Sequence, residues 1–136
     1  MTARWVRLLD GYDGPRLPAR ALHPDRPGAP GLDLVALLDT GATHSVVDLD
    51  RVVAGLGLAQ RDVQRLRVAG ARAEVPTYEV MLSLPDLPFP TRRLRVAGMQ
   101  LPEPFAMLLG MDLMRGTRLA LEWRDDGRWL RWEPLD

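Results

Sequence analysis

The sequence predicts an all-β, mostly strand-built domain with one or two short helices. Three observations predict it. Gly and Pro, 12 of each in 136 residues, cut the chain into short segments. Apolar positions alternate within them, as Val80, Leu82 and Leu84 do with Glu79, Met81 and Ser83. The 46% hydrophobic and 26% charged content is that of one globular domain with a single core, so residues 1–136 are read as one unit.

In order along the chain, residues 4–9 read as a first strand. Residues 17–22 read as a second, held to a sheet edge by Pro18, which has no N–H to donate. Residues 23–31 carry three Pro and two Gly and form a loop. Residues 32–38 are a strongly apolar strand running straight into Asp39-Thr40-Gly41. The β-branched run 43–47 resumes as a strand. Asp48 then N-caps a short helix through Ala54, ended by Gly55 or Gly57.

Residues 63–69 and 73–84 flank Gly70 and predict a long β-hairpin turning at Ala69-Gly70-Ala71. Pro76 leaves part of that hairpin with a free edge, as a lid would have. Further strands are expected at 91–97 and 105–109, and a helical turn at 111–115. A closing hairpin, 117–123 with 128–132, turns across Arg124-Asp125-Asp126-Gly127.

Composition removes several chemistries. All 18 basic residues are Arg, so Schiff-base, Walker-type lysine and Ser-Lys mechanisms are excluded. There is no Cys, hence no disulfide, thiol catalysis or Cys-based zinc site. With only His23 and His44, a multi-His metal site is not expected, and no metal or other cofactor is predicted. The 18 acidic residues balance the basic ones, which gives no global field for nucleic acid. No apolar run approaches the roughly 20 residues of a membrane helix, and Met1-Thr2-Ala3-Arg4-Trp5 has no signal-peptide core. A cytoplasmic protein without nucleic-acid or membrane partners is the expectation.

The stretch that carries chemistry is Val35-Ala36-Leu37-Leu38-Asp39-Thr40-Gly41-Ala42-Thr43. A carboxylate stands at the end of a buried strand, and Thr and Gly permit a tight turn there. That is a placement suited to acid–base work. A second apolar strand ends comparably, at Leu108-Leu109-Gly110-Met111-Asp112-Leu113-Met114, about 70 residues downstream.

These two stretches, in this order and with a Gly-centred hairpin between them, resemble the retropepsin-like (retroviral-type) aspartic proteases. The resemblance covers roughly residues 32–123. It implies a closed acid-protease barrel with a β-hairpin flap, and an aspartic endopeptidase acting on peptides or proteins. By the same resemblance Asp39 is the catalytic aspartate, Thr40 bonds across a two-fold axis, and Gly41 offers backbone contacts to substrate. Ala42 and Thr43 line the substrate site. Ala69, Gly70 and Ala71 form the flap tip. Gly110 and Asp112 support the active-site loop. Ala42, where two-lobed pepsin-like enzymes usually have Ser, implies activity at less acidic pH than theirs. Many viral members carry an Asp–Arg ion pair where this chain has Thr43 and Met111. Both partners are absent together, so no lone buried charge remains.

The chemistry needs two carboxylates, one acting as base and one as acid. No second Asp-Thr/Ser-Gly exists in the sequence. A C2 homodimer with one Asp39 from each subunit meets the need. In the family, terminal strands of two subunits interleave into a shared sheet. Trp5, Trp129 and Trp132 in the terminal segments are either interface material or the cover of the chain's own core.

Simpler assignments compete at each position. Asp39 could cap a turn. Asp48 and Asp50 read as helix caps rather than metal ligands. His44 and Ser45, adjacent on a strand, would face opposite sides and form no dyad. Arg92-Arg93-x-Arg95 reads as a solvated strand face, and Met107, Met111 and Met114 as core filler. The alternative to an enzyme is a non-catalytic module of the same fold, used for dimerisation or peptide binding.

Overall fold

Ten strands and two short helices make up the computed structural model, which describes residues 4–10, 14–26, 28–68 and 70–135. The strands are β1 (Val6–Arg7), β2 (Arg16–Leu22), β3 (Leu32–Leu38), β4 (Val46–Asp48), β5 (Asp62–Val68), β6 (Ala71–Ser83), β7 (Arg92–Met99), β8 (Met107–Leu109), β9 (Thr117–Arg124) and β10 (Gly127–Pro134). The helices are α1 (Leu49–Ala54), with wide π-type turns, and α2 (Met111–Met114). Among the described residues no helix is long and apolar enough to cross a membrane.

Seven strands form one sheet in the order β2-β3-β8-β4-β7-β6-β5, and β2 also pairs with β6. Six strands therefore close into a circuit of hydrogen-bonded neighbours, and β5 hangs outside it. Closure passes through the segment expected at an edge. Pro18 of β2 faces only Val35 of β3, which suits its missing donor. Two residues on, Arg20–Leu22 also pair with Ser83–Met81 of β6, so this half of the strand is internal.

The β6 strand explains the lid-like hairpin. Its second half alternates buried Val80 and Leu82 with half-buried Glu79, Met81 and Ser83, and it pairs with β7 from Thr77 onward. Its first half is largely exposed and pairs with β5 alone. Pro76 sits next to the point where β7 pairing begins. Beyond it the two-stranded arm projects to a turn at Gly70, whose φ of +83° suits glycine. Ala69, predicted for this tip, lies outside the described residues.

The strand expected over 43–47 begins only at Val46, because residues 43–45 bond to the start of α2 instead. Asp48 caps α1 as expected. Its carboxylate accepts from the backbone N–H of Asp50 and Arg51 at 3.2 and 2.9 Å, and from Leu101 N–H at 2.8 Å.

The terminal segments pair with each other inside one chain. β10 lies between β1 and β9 in a three-stranded sheet, and β1 is only two residues long. Trp132 is 1% exposed and belongs to the chain's own core, its Nε1 donating to Thr117 Oγ1 at 2.9 Å. Packing around Leu82, Met107, Leu109 and Leu130 fills the main core. Each such side chain contributes about 1.5–3 kcal/mol by leaving water. A smaller apolar cluster, Val46, Val75 and Ala97 with Leu66, Met99, Leu101 and Leu108 against it, lies apart from that core.

Candidate active site

Asp39 leaves the end of β3 where the strand's burial stops. Leu38 is buried, Asp39 half-buried and Thr40 exposed. β3 runs parallel to β8, with Leu38 opposite Leu109, and Asp39 N–H continues the ladder by donating to Leu109 O at 3.0 Å. The chain then turns on the aspartate itself. Gly41 N–H donates to Asp39 Oδ1 at 3.0 Å, and Ala42 N–H to Asp39 O at 3.1 Å. A β-carbon on Gly41 would stand 3.2 Å from that carboxylate oxygen.

The loop rests on the turn between β8 and α2. Met111 N–H donates to Ala42 O at 2.8 Å, and Asp112 N–H to Thr43 O at 3.1 Å. In return the Asp112 carboxylate accepts Ser45 N–H at 2.9 Å and the Ser45 hydroxyl at 2.7 Å. Ser45 Oγ also accepts Gly110 N–H at 3.0 Å. Glycine is required at 110 by proximity: a β-carbon would lie 2.7 Å from His44 C and 2.8 Å from Ala42 O. The two motif stretches thus form one hydrogen-bonded unit.

The cleft at Asp39 is bordered by residues 41–44, by Arg65, Leu66 and Arg67 of β5, and by Val46, Met99 and Leu108. Its apolar part is the face of the smaller cluster. The described tip residues Gly70 and Ala71 do not border it; the middle of β5 does. A second depression is bordered by Thr40, Thr43, His44, Met111, Asp112, Met114 and Arg115. Met111, expected as core filler, is 53% exposed there. Among the described residues no group of three His, Asp or Glu side chains is placed to hold a metal ion.

Two participants had little local signal. Ser45 is 0% exposed and joins both motif stretches, although a small polar residue beside Val46 and Val47 was the only hint of it. Gln64 of β5 meets His44, Nε2 to Nε2, at 3.1 Å, so the hairpin touches the Asp39 loop through this pair. The Arg92-Arg93-x-Arg95 cluster is balanced by acids: Arg93 and Arg95 approach Glu79 at 2.6 and 3.5 Å. Hydrogen bonding from Arg93 holds the Glu79 carboxyl below its ordinary range.

Residues 29–113 match the sequence profile of the aspartyl protease family. No curated protein matches the chain significantly. Among solved structures, the EIAV protease complexed with the inhibitor HBY-793 is similar at a TM-score of 0.54 and 19% identity, covering 76% of this chain and 86% of that one. A retropepsin-like aspartic protease from Rickettsia conorii is similar at a TM-score of 0.55 and 13% identity, covering 99% and 95%. The family match spans the first motif stretch and the second through Leu113, and the two structures share the fold. The chain belongs to the aspartyl protease family, and its fold is that of the retropepsin-like proteases.

Proposed function

We propose that the protein is a homodimeric aspartic endopeptidase whose two Asp39 carboxylates, one from each subunit, activate a water on a peptide bond. One carboxylate accepts a proton as the water oxygen bonds to the peptide carbon. The other, protonated, donates to the carbonyl oxygen. The tetrahedral diol so formed then collapses. The first carboxyl gives its proton to the amide nitrogen, and a diol hydroxyl gives its own to the second carboxylate. The C–N bond breaks to release the amine and the carboxylic acid, with one proton again shared by the pair. No metal and no covalent intermediate enter this scheme.

The observation that carries the reading is the setting of Asp39. Its Oδ1 is fixed by Gly41 N–H, and its loop is anchored on Met111 and Asp112 at the edge of a cleft with an apolar floor and charged rim residues Arg65 and Arg67. Fixing a reacting group in advance is what lowers a barrier. In this reading Thr40 bonds across the two-fold axis, and Gly41, Ala42 and Thr43 contact the peptide. Ala69, Gly70 and Ala71 close over it, while Gly110 and Asp112 hold the loop.

The test is cleavage of a peptide library by the wild type and by Asp39→Asn. Cleavage by the wild type with loss of activity by at least about a thousandfold in the variant is expected. Equal cleavage by both proteins sinks the assignment. Peptide binding without cleavage, unchanged by the substitution, favours the non-catalytic module.

A further inference from the structure

The arm built from β5 and β6 carries an unbalanced charge where it meets the cleft. Three consecutive residues of β5, Arg65, Leu66 and Arg67, border that cleft. Among the described residues β5 pairs with β6 alone, so its free edge, with residues from both of its faces, forms this part of the border. Leu66 packs against the smaller apolar cluster, so by strand alternation Arg65 and Arg67 leave by the opposite face. The cleft has an apolar floor and a basic rim, and Asp39 is the one acidic residue lining it.

The register of the arm leaves part of that rim without a counter-charge. Residues directly opposite in an antiparallel pair share a face. Arg65 stands opposite Glu74, and the two approach at 3.6 Å. Arg67 stands opposite Arg72, and both are exposed. Like charges directly opposite each other weaken a strand pair. Among the described residues neither Arg67 nor Arg72 has an acidic partner at ion-pair distance. This outer half of β6 pairs with β5 alone, so the repulsion sits where the arm is held least. An anion beside Arg67 would relieve it, and a carboxylate on a peptide lying in the cleft is such an anion. The guanidinium suits it, because it can hold a carboxylate through two parallel N–H donors.

We propose that the protein selects acidic peptides: an apolar side chain of the substrate seats on Val46, Leu66, Met99 and Leu108, and a Glu or Asp of the same peptide pairs with Arg67. The inference rests on the endopeptidase reading above and says which peptides that site prefers. Asp39 disfavours a carboxylate next to the bond being cut, so the acidic residue belongs at a flanking position. Neutralising the Arg67–Arg72 pair also steadies the arm, so recognition of the acid and ordering of the arm reinforce each other.

Peptides with an apolar pair at the centre and a single Glu, Gln or Lys moved through the flanking positions test this. At one flanking position or more, kcat/KM for Glu should exceed that for Gln by about three- to fivefold, the range of an exposed ion pair. Added salt should shrink the ratio. Arg67→Gln should abolish it, and Arg67→Glu should turn the preference toward Lys. Arg72→Glu gives Arg67 a partner within the chain, so it should lower the ratio although Arg72 does not border the cleft. Each ratio is taken within one protein, so a mere loss of stability does not move it. Equal use of Glu and Gln peptides by the wild type, or a Glu preference that survives in Arg67→Glu, overturns the proposal and leaves the enzyme standing. If no peptide is cleaved, fluorescence anisotropy of the same peptides, labelled, reads the preference as a ratio of Kd. Tighter binding of Glu peptides that is lost in Arg67→Gln sustains the acidic selection and removes the endopeptidase. Equal binding of Glu and Gln peptides removes both.

Discussion

The Asp112 carboxylate and Ser45 are joined twice, Oδ2 accepting the Ser45 backbone N–H at 2.9 Å and Oδ1 its hydroxyl at 2.7 Å. This link connects residues 67 apart and stands behind the loop that carries Asp39. The same hydroxyl accepts Gly110 N–H, so Ser45→Ala removes one bond and orphans another buried donor. The expected loss is about 2–3 kcal/mol of stability, read by urea denaturation. The Asp39 loop loosens with it, so kcat should fall while the peptide still binds. A variant as stable and active as the wild type would show that the link is incidental.

Gly110→Ala tests the same junction by adding atoms. The new β-carbon would meet backbone atoms of Ala42 and His44 at 2.7–2.8 Å, and neither can swing aside as a side chain could. Overpacking of this kind costs about 1–3 kcal/mol, and the upper end is expected because the contact is backbone. Thermal denaturation measures it; Gly28→Ala, with nothing within 4 Å of its β-carbon, is the control.

Much of this arrangement was legible in the sequence because it is written locally. The apolar run before Asp39, the Gly after it and the cap at Asp48 each act within a few residues. The hairpin was legible from alternation around Gly70. What escaped depends on contacts between distant residues. Pro18 marked an edge, yet the other half of β2 closes the sheet against β6. Trp132 reads from sequence as interface material before core cover, and only the position of Phe89, 5.1 Å away, and of Thr117 decides for the core. Ser45 and Gln64 carry no motif; their partners lie 67 and 20 residues away.

The Gln64–His44 contact predicts a change in substrate binding. It joins the projecting arm to the Asp39 loop at 3.1 Å, and the arm's outer half pairs on one side only. Gln64→Ala removes a link of about 1 kcal/mol. Amide hydrogen exchange in β5 should quicken by about fivefold, and KM for peptides should rise with kcat little changed. Unchanged exchange in β5 would mean that Leu66, packed on the smaller cluster, holds the arm by itself.

Asp48 sets a pH dependence of stability. Burial alone would raise its pKa, but N–H donors from Arg51 and Leu101 and the Arg51 guanidinium outweigh it and hold the carboxyl below the ordinary 3.8. A group whose folded pKa is depressed stabilises the fold above its unfolded pKa, and that contribution is lost as pH falls through the folded value. The wild type should therefore lose stability in acid below the ordinary carboxylate range. Asp48→Asn keeps an acceptor for one donor but loses the charge that Arg51 faces. It should be destabilised by about 1–3 kcal/mol near pH 7, and the gap to the wild type should narrow as the medium is acidified past the native carboxyl's pKa. Urea denaturation of both proteins across that range measures the gap. A gap that stays constant into strong acid would show that the Asp48 charge contributes nothing and that the cap acts through its shape alone.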